Sequence, residues 1–108
     1  DVNTSALISA GGSGLVIVQG TGGNSSGSNN NGVRVISGGM ITSSGNDVTV
    51  TGIGKGTSNA NISNGVSILL GGMITAGNMG VVTVNGTVGV GTGTSNNGIH
   101  VNGVGSAI

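Results

Sequence analysis

Apolar and polar positions alternate along much of this chain, as in Val33-Arg34-Val35 and Val48-Thr49-Val50. Successive side chains of a strand point to opposite faces, so the alternation predicts strands with one buried face. The apolar members are mostly β-branched, which suits a pleated backbone. The pattern also returns at a fixed distance. GGMIT occupies 38–42 and again 71–75. Asn-Gly followed by a β-branched residue occurs at 31–33, 64–66 and 97–99, in steps of 33. The pairs Leu7-Ile8, Met40-Ile41 and Met73-Ile74 keep that step. A third set, Val16 and Val18, Val48 and Val50, Val82 and Val84, drifts by a residue, as corners of unequal length would cause. Each of these runs reaches Gly two residues on, at Gly20, Gly52 and Gly86, and then enters a polar stretch such as GTGGNSSGSNNNG (20–32).

One repeat therefore reads as strand, Gly turn, short strand, turn, strand, long polar loop. Helical repeats of similar period need Ala, Leu, Glu and Lys at helical spacing, and a propeller blade is longer and usually carries aromatics. Short strands recurring once per period predict an all-β chain, a parallel β-helix (β-solenoid) of about three coils of roughly 33 residues. As a single domain, 1–108, it divides into coils 1–33, 34–66 and 67–99, with residues 100–108 as an overlapping strand. Val33, Val66 and Ile99 should form one inward column. Val35, Ile68 and Val101 should form a second, Ile8, Ile41 and Ile74 a third, and Val18, Val50 and Val84 a fourth. Gly and Asn are assigned to tight corners that need positive φ. The loops 20–31, 53–64 and 87–97 should leave on one side as a ridge, mobile unless neighbouring molecules pack on them.

Composition narrows the rest. Gly supplies 26 of 108 residues, and Cys, Trp, Tyr, Phe and Pro are absent. A core must come from Val, Ile, Leu, Met and Ala, with no disulfide to help it. The charged side chains are Asp1, Asp47, Arg34 and Lys55, so formal net charge is zero. That removes the electrostatic basis for binding nucleic acid or an anionic membrane, and also the repulsion that keeps copies apart. No apolar run is long enough for membrane insertion as a helix. A start at Asp1 without Met reads as a processed or an excised chain.

Candidate chemistry is thin. His100 is the single His and shares an outward column with Arg34 and Ser67, so a solvated position is expected; alone it builds neither a metal site nor a triad. Asp1 and Asp47 lie too far apart in phase for paired acid/base work. The Gly-rich strings lack the Gly-Lys-Ser/Thr ending of a phosphate loop, and no calcium-binding Asp repeats. Asn-x-Ser/Thr sequons at Asn3, Asn24, Asn61 and Asn85 are a by-product of composition. Outward Thr, Ser and Asn suggest ice or polysaccharide as ligands of another class of function, but the rows are broken: Ser9 precedes Thr42 and Thr75, and Ile17 precedes Thr49 and Thr83. No catalytic residue, cofactor or metal ligand is assigned, and no enzyme activity is expected.

The words GGMITSSGNDVTVTG (38–52), GGMITAGNMGVVTVNG (71–86) and GTGTSNNGIHV (91–101) resemble the repeats of large bacterial surface proteins, the filamentous-haemagglutinin-like adhesins and autotransporter passengers. That resemblance implies a right-handed parallel β-helix, secreted to the cell surface or beyond, used as a fibrous stalk or for adhesion, with host or cell-surface glycans as partners. The leading expectation is a non-enzymatic, self-associating filament, sheath or matrix subunit; the alternative is an adhesive segment of a longer surface protein. A solenoid has two open ends with unpaired edges. Asp1 falls one period before Arg34, so the two should stand side by side. The edges of 1–9 and 100–108 should pair between copies in a head-to-tail homopolymer. The contact residues assigned to that joint are Asp1, Val2, Leu7, Ile8, His100, Val101, Val104 and Ile108.

Overall fold

Strands form where the alternation is. The computed structural model describes residues 1–108 and contains ten strands and no helix. They are β1 (Val2–Asn3), β2 (Leu7–Ala10), β3 (Val16–Thr21), β4 (Val33–Ile36), β5 (Met40–Ser43), β6 (Val48–Ile53), β7 (Val66–Leu69), β8 (Met73–Ala76), β9 (Val82–Thr87) and β10 (Ile99–Asn102). Every pairing is parallel. The first sheet runs β1-β4-β7-β10, the second β2-β5-β8 and the third β3-β6-β9. Each coil thus lays one strand on each of three faces, a parallel β-solenoid of about three turns.

Register follows the repeat. Ile8, Ile41 and Ile74 stack in the second sheet, and Val33, Val66 and Ile99 in the first. The third sheet aligns Val16 with Val48 and Val82, steps of 32 and 34, so the drift in the sequence is a difference in corner length. Val35, Ile41, Val48, Val50, Val66, Ile68 and Ile74 are fully buried and form the centre of one apolar core. Like stacks on like, so β-branched side chains of one shape fill a narrow interior to close packing without aromatics. Burial fades toward the ends: Val84, expected inside, is half-buried, and Ile8 is exposed.

The two glycines of GGMIT have different causes. Gly38 and Gly71 turn the corner between the first and second sheets at positive φ (73° and 81°). The residues before them, Ser37 and Leu70, are also left-handed, although neither is Gly or Asn. Gly39 and Gly72 are small because the coil below passes under them. A Cβ on Gly39 would lie 2.8 Å from the carbonyl carbon of Val2, and one on Gly72 2.7 Å from that of Val35.

The molecule measures 44 × 23 × 17 Å between Cα extremes. Four strands at about 4.8 Å spacing span about 14 Å. The solenoid axis therefore lies along the shortest dimension, and the other two describe the cross-section of a coil with its loop.

Candidate functional site: the loop ridge and the two open ends

The three long loops leave between the third sheet and the first, through a neck built of glycine. Gly20, Gly52 and Gly86 stack in register in or beside the strands, and each faces the Gly of an Asn-Gly step. A Cβ on Gly52 would lie 2.6 Å from the carbonyl carbon of Gly65, and one on Gly86 2.5 Å from that of Gly98. None of these glycines has positive φ. The Asn-Gly step is thus not the left-handed corner its composition suggests. Its Gly lets two backbone segments pass at the base of the loop.

Past the neck the loops stack on one another, and asparagine does the joining. The Asn64 N–H donates to Asn31 Oδ1 at 3.0 Å, and the Asn97 N–H to Asn64 Oδ1 at 2.9 Å. Asn97 Nδ2 donates to the same Asn64 oxygen at 3.2 Å. Backbone bonds run beside this ladder, from Gly32 N–H to Asn64 O and from Gly65 N–H to Asn97 O, both 3.0 Å. A second column sits one residue earlier. Asn30 closes its own loop by donating to Ser25 O and Gly27 O, and Asn96 does the same to Gly91 O and Gly93 O. In the middle coil that position is Ser63, whose buried hydroxyl has no partner. The loops are thus joined to one another by bonds within the chain. The signal was present: Asn31, Asn64 and Asn97 recur at the period, and a polar column inside a stack is how Asn rungs pair.

The outer face of the first sheet carries Asp1, Arg34 and His100. Asp1 pairs with Arg34, with Nε–Oδ1 3.1 Å and Nη2–Oδ2 2.5 Å, as the one-period spacing predicted. Ser67 is in register with Arg34 below it and His100 above. The solvated row expected there is not what forms. Ser67 is fully buried, His100 is half-buried, and both Ser67 Oγ and His100 Nδ1 are shut from solvent without a hydrogen bond. A short hydroxyl between two larger residues at strand spacing has no route to water, although it points away from the core. Asp47 stands at another corner, accepting from the Val81 N–H at 2.8 Å. No pocket opens anywhere, and no three His, Cys, Asp or Glu side chains converge. The outer Thr rows are real, with Thr75 Oγ1 donating to Thr42 Oγ1 at 2.9 Å, but no column carries Thr on every coil.

What the structure does concentrate is apolar surface at the ends. Inward columns that vanish from solvent in the middle coil reappear at the first and last: Ile8 is 38% exposed, Ile99 43% and Val101 44%. Leu7, Val104 and Ile108 are exposed as well, whereas Val2, Val16 and Val33 of the first coil are buried. The end of the chain lies on the coil before it. His100 and Val101 lie over Ser67 and Ile68, and Ala107 bridges to Met73.

The geometry defines an all-β, parallel β-solenoid of about three turns. Comparison with protein-family models, curated proteins and solved structures gives no match. The resemblance to bacterial surface repeats accordingly extends to the β-solenoid and no further.

Proposed function

We propose that the chain is a non-enzymatic structural protein, a β-solenoid that stacks end to end on copies of itself to build an extracellular filament, sheath or matrix fibre. One observation carries this reading. The coil at the centre buries its columns completely, with a coil above and a coil below, whereas Ile8 at one end and Ile99 and Val101 at the other lie exposed in the same columns without that cover. Parallel strands with free edges accept a further strand through main-chain bonds, and an identical cross-section supplies it in register. A head-to-tail contact of this kind does not close on itself and so grows as a fibre. The end coils bear no charge that opposes contact apart from Asp1, already paired with Arg34. The extracellular setting is the one implied by the resemblance to secreted surface repeats.

The test is concentration-dependent assembly of the purified 108-residue chain, followed by sedimentation and electron microscopy. Unbranched fibres whose cross-section matches the 44 × 23 Å coil support the reading. A chain that remains monomeric at every concentration and temperature tried, while folded, overturns it and favours an adhesive segment whose ends are covered by further coils of a longer protein.

A further inference from the structure

We propose that the seat for the second copy is the edge of β9 together with the loop 87–98, and that the incoming copy displaces residues 100–108 to occupy it. The inference rests on the stacking reading above and fixes its joint. Each contact between coils repeats one set of bonds at the Asn-Gly step. The upper Asn N–H donates to the lower Asn Oδ1, the lower Gly N–H to the upper Asn carbonyl, and the lower Val N–H to the upper Gly carbonyl. Continued past the last coil, that pattern leaves Asn97 Oδ1 and the N–H groups of Gly98 and Ile99 facing outward. At the first coil it leaves the Asn31 N–H and the carbonyls of Asn31 and Gly32. These are the complementary halves of the same set, so loop 22–32 of a copy completes the ladder of loop 87–98. The six-residue strands β3 and β9 each pair only with β6, and they meet edge to edge in the same placement.

That placement lifts the copy by three rungs, about 14 Å. Setting 1–9 directly on the outer edge of 100–108, the joint expected from sequence, lifts it by four. The third sheet and the loop ridge would then lack one rung, leaving a gap one strand wide over Val82 and Val84. Three rungs close both. They also put 1–9 of the copy and 100–108 of its host in one place, because the two segments share a phase, so one must yield. The tail is held by less. It has three paired residues of β10, His100 to Asn102, and a single bridge at Ala107, with Val101 nearly half exposed. Residues 1–9 have two paired residues in β1, nearly all of the four-residue register of β2, a buried Val2 and the Asp1–Arg34 pair. Keeping 1–9 also completes the second sheet across the joint with four pairs, where the tail offers one. Residues 100–108 therefore act as a removable cover on the growing end.

A disulfide staple tests this. Leu69 and Asn102 are a register pair on the outer face, and the chain has no other Cys, so Leu69→Cys/Asn102→Cys joins β10 to β7 when oxidised. Oxidised protein should lose fibre growth, reduction should restore it, and deletion of 100–108 should shorten the lag. The fibres should show an axial rise of about 14 Å per subunit. Growth of the stapled protein at the unstapled rate, or a rise of about 19 Å, overturns the joint and leaves the stacking reading intact. Should the deleted chain fail to fold, the staple and the rise still decide. A wild-type chain that forms no fibres at all overturns the stacking reading and the joint with it.

Discussion

Replacing Gly52 with Ala adds one carbon where two backbones cross. The new Cβ would sit 2.6 Å from the carbonyl carbon of Gly65, closer still to its oxygen, and 2.8 Å from Val66 Cγ2. Non-bonded carbons rest at about 3.5–4.0 Å, so the two segments must part by about 1 Å. Neither is free to move. The Gly65 N–H donates to Asn97 O at 3.0 Å, and its carbonyl accepts from the Val33 N–H at 2.9 Å, which clamps it to the coils on both sides. Overpacking costs about 1–3 kcal/mol, and two weakened hydrogen bonds add about 1 kcal/mol each. The reduced freedom of the unfolded chain returns up to about 1 kcal/mol. The net loss is about 2–4 kcal/mol, a large part of the roughly 5–15 kcal/mol that holds a domain together. Gly11→Ala is the control. A Cβ there meets nothing within 4 Å and the backbone is not left-handed, so it should stabilise by about 0.4–1 kcal/mol. Urea unfolding followed by circular dichroism measures both midpoints. If Gly52→Ala unfolds at the same midpoint as Gly11→Ala, the glycine neck is wrong.

Ile74→Asp buries an unpaired charge among Ile41, Ile68 and Val48 and should abolish the cooperative transition; a folded variant by circular dichroism would break the register. Ser63→Ala removes a buried hydroxyl that bonds nothing and should leave stability unchanged or raise it by up to about 1 kcal/mol, whereas Asn64→Ala strips the oxygen that accepts twice from Asn97 and should cost about 1–3 kcal/mol in the same urea assay. Arg34→Ala opens an ion pair whose side chains are 29% and 48% exposed, and should shift stability by less than about 1 kcal/mol, with the shift shrinking in high salt; a larger loss would mean that the pair does more than mark the register.

The inward columns were legible because a strand with one buried face repeats every second residue, and identical words such as GGMIT fix the register to the residue. The third sheet was legible too, since Val48 and Val50 drift together and so identify the corners as the variable part. The ladder was harder to read. Asn is common in this chain, and Asn29, Asn30 and Asn31 look alike in sequence; only the fold shows that Asn31 holds the next coil while Asn30 closes its own loop. Ser67 and His100 show a second limit. Alternation says which side chains point away from the core but not what stands beside them, and in a stack the neighbours of an outward residue lie one whole period away. Leu70 shows a third: the corner geometry is imposed by three strands and their backbone bonds, strongly enough to hold a leucine left-handed where composition would choose Gly or Asn. The open ends were legible from chain phase, but the proposed competition of 1–9 and 100–108 for one seat needed the pairing of Ala107 and the lengths of β1 and β10.

Disulfide mapping tests the stacked 33-residue register most directly. Thr42 and Thr75 occupy neighbouring rungs on the outer face, in register and hydrogen-bonded through their hydroxyls at 2.9 Å. Strand spacing of about 4.8 Å falls within the range a disulfide spans. Thr42→Cys/Thr75→Cys should oxidise within one molecule, with slower unfolding and no dimer. Thr42→Cys/Thr83→Cys, whose second position belongs to the third sheet, should remain reduced or link between molecules. If the second pair closes as readily as the first, or the first fails to close in folded protein, the coils do not stack as described.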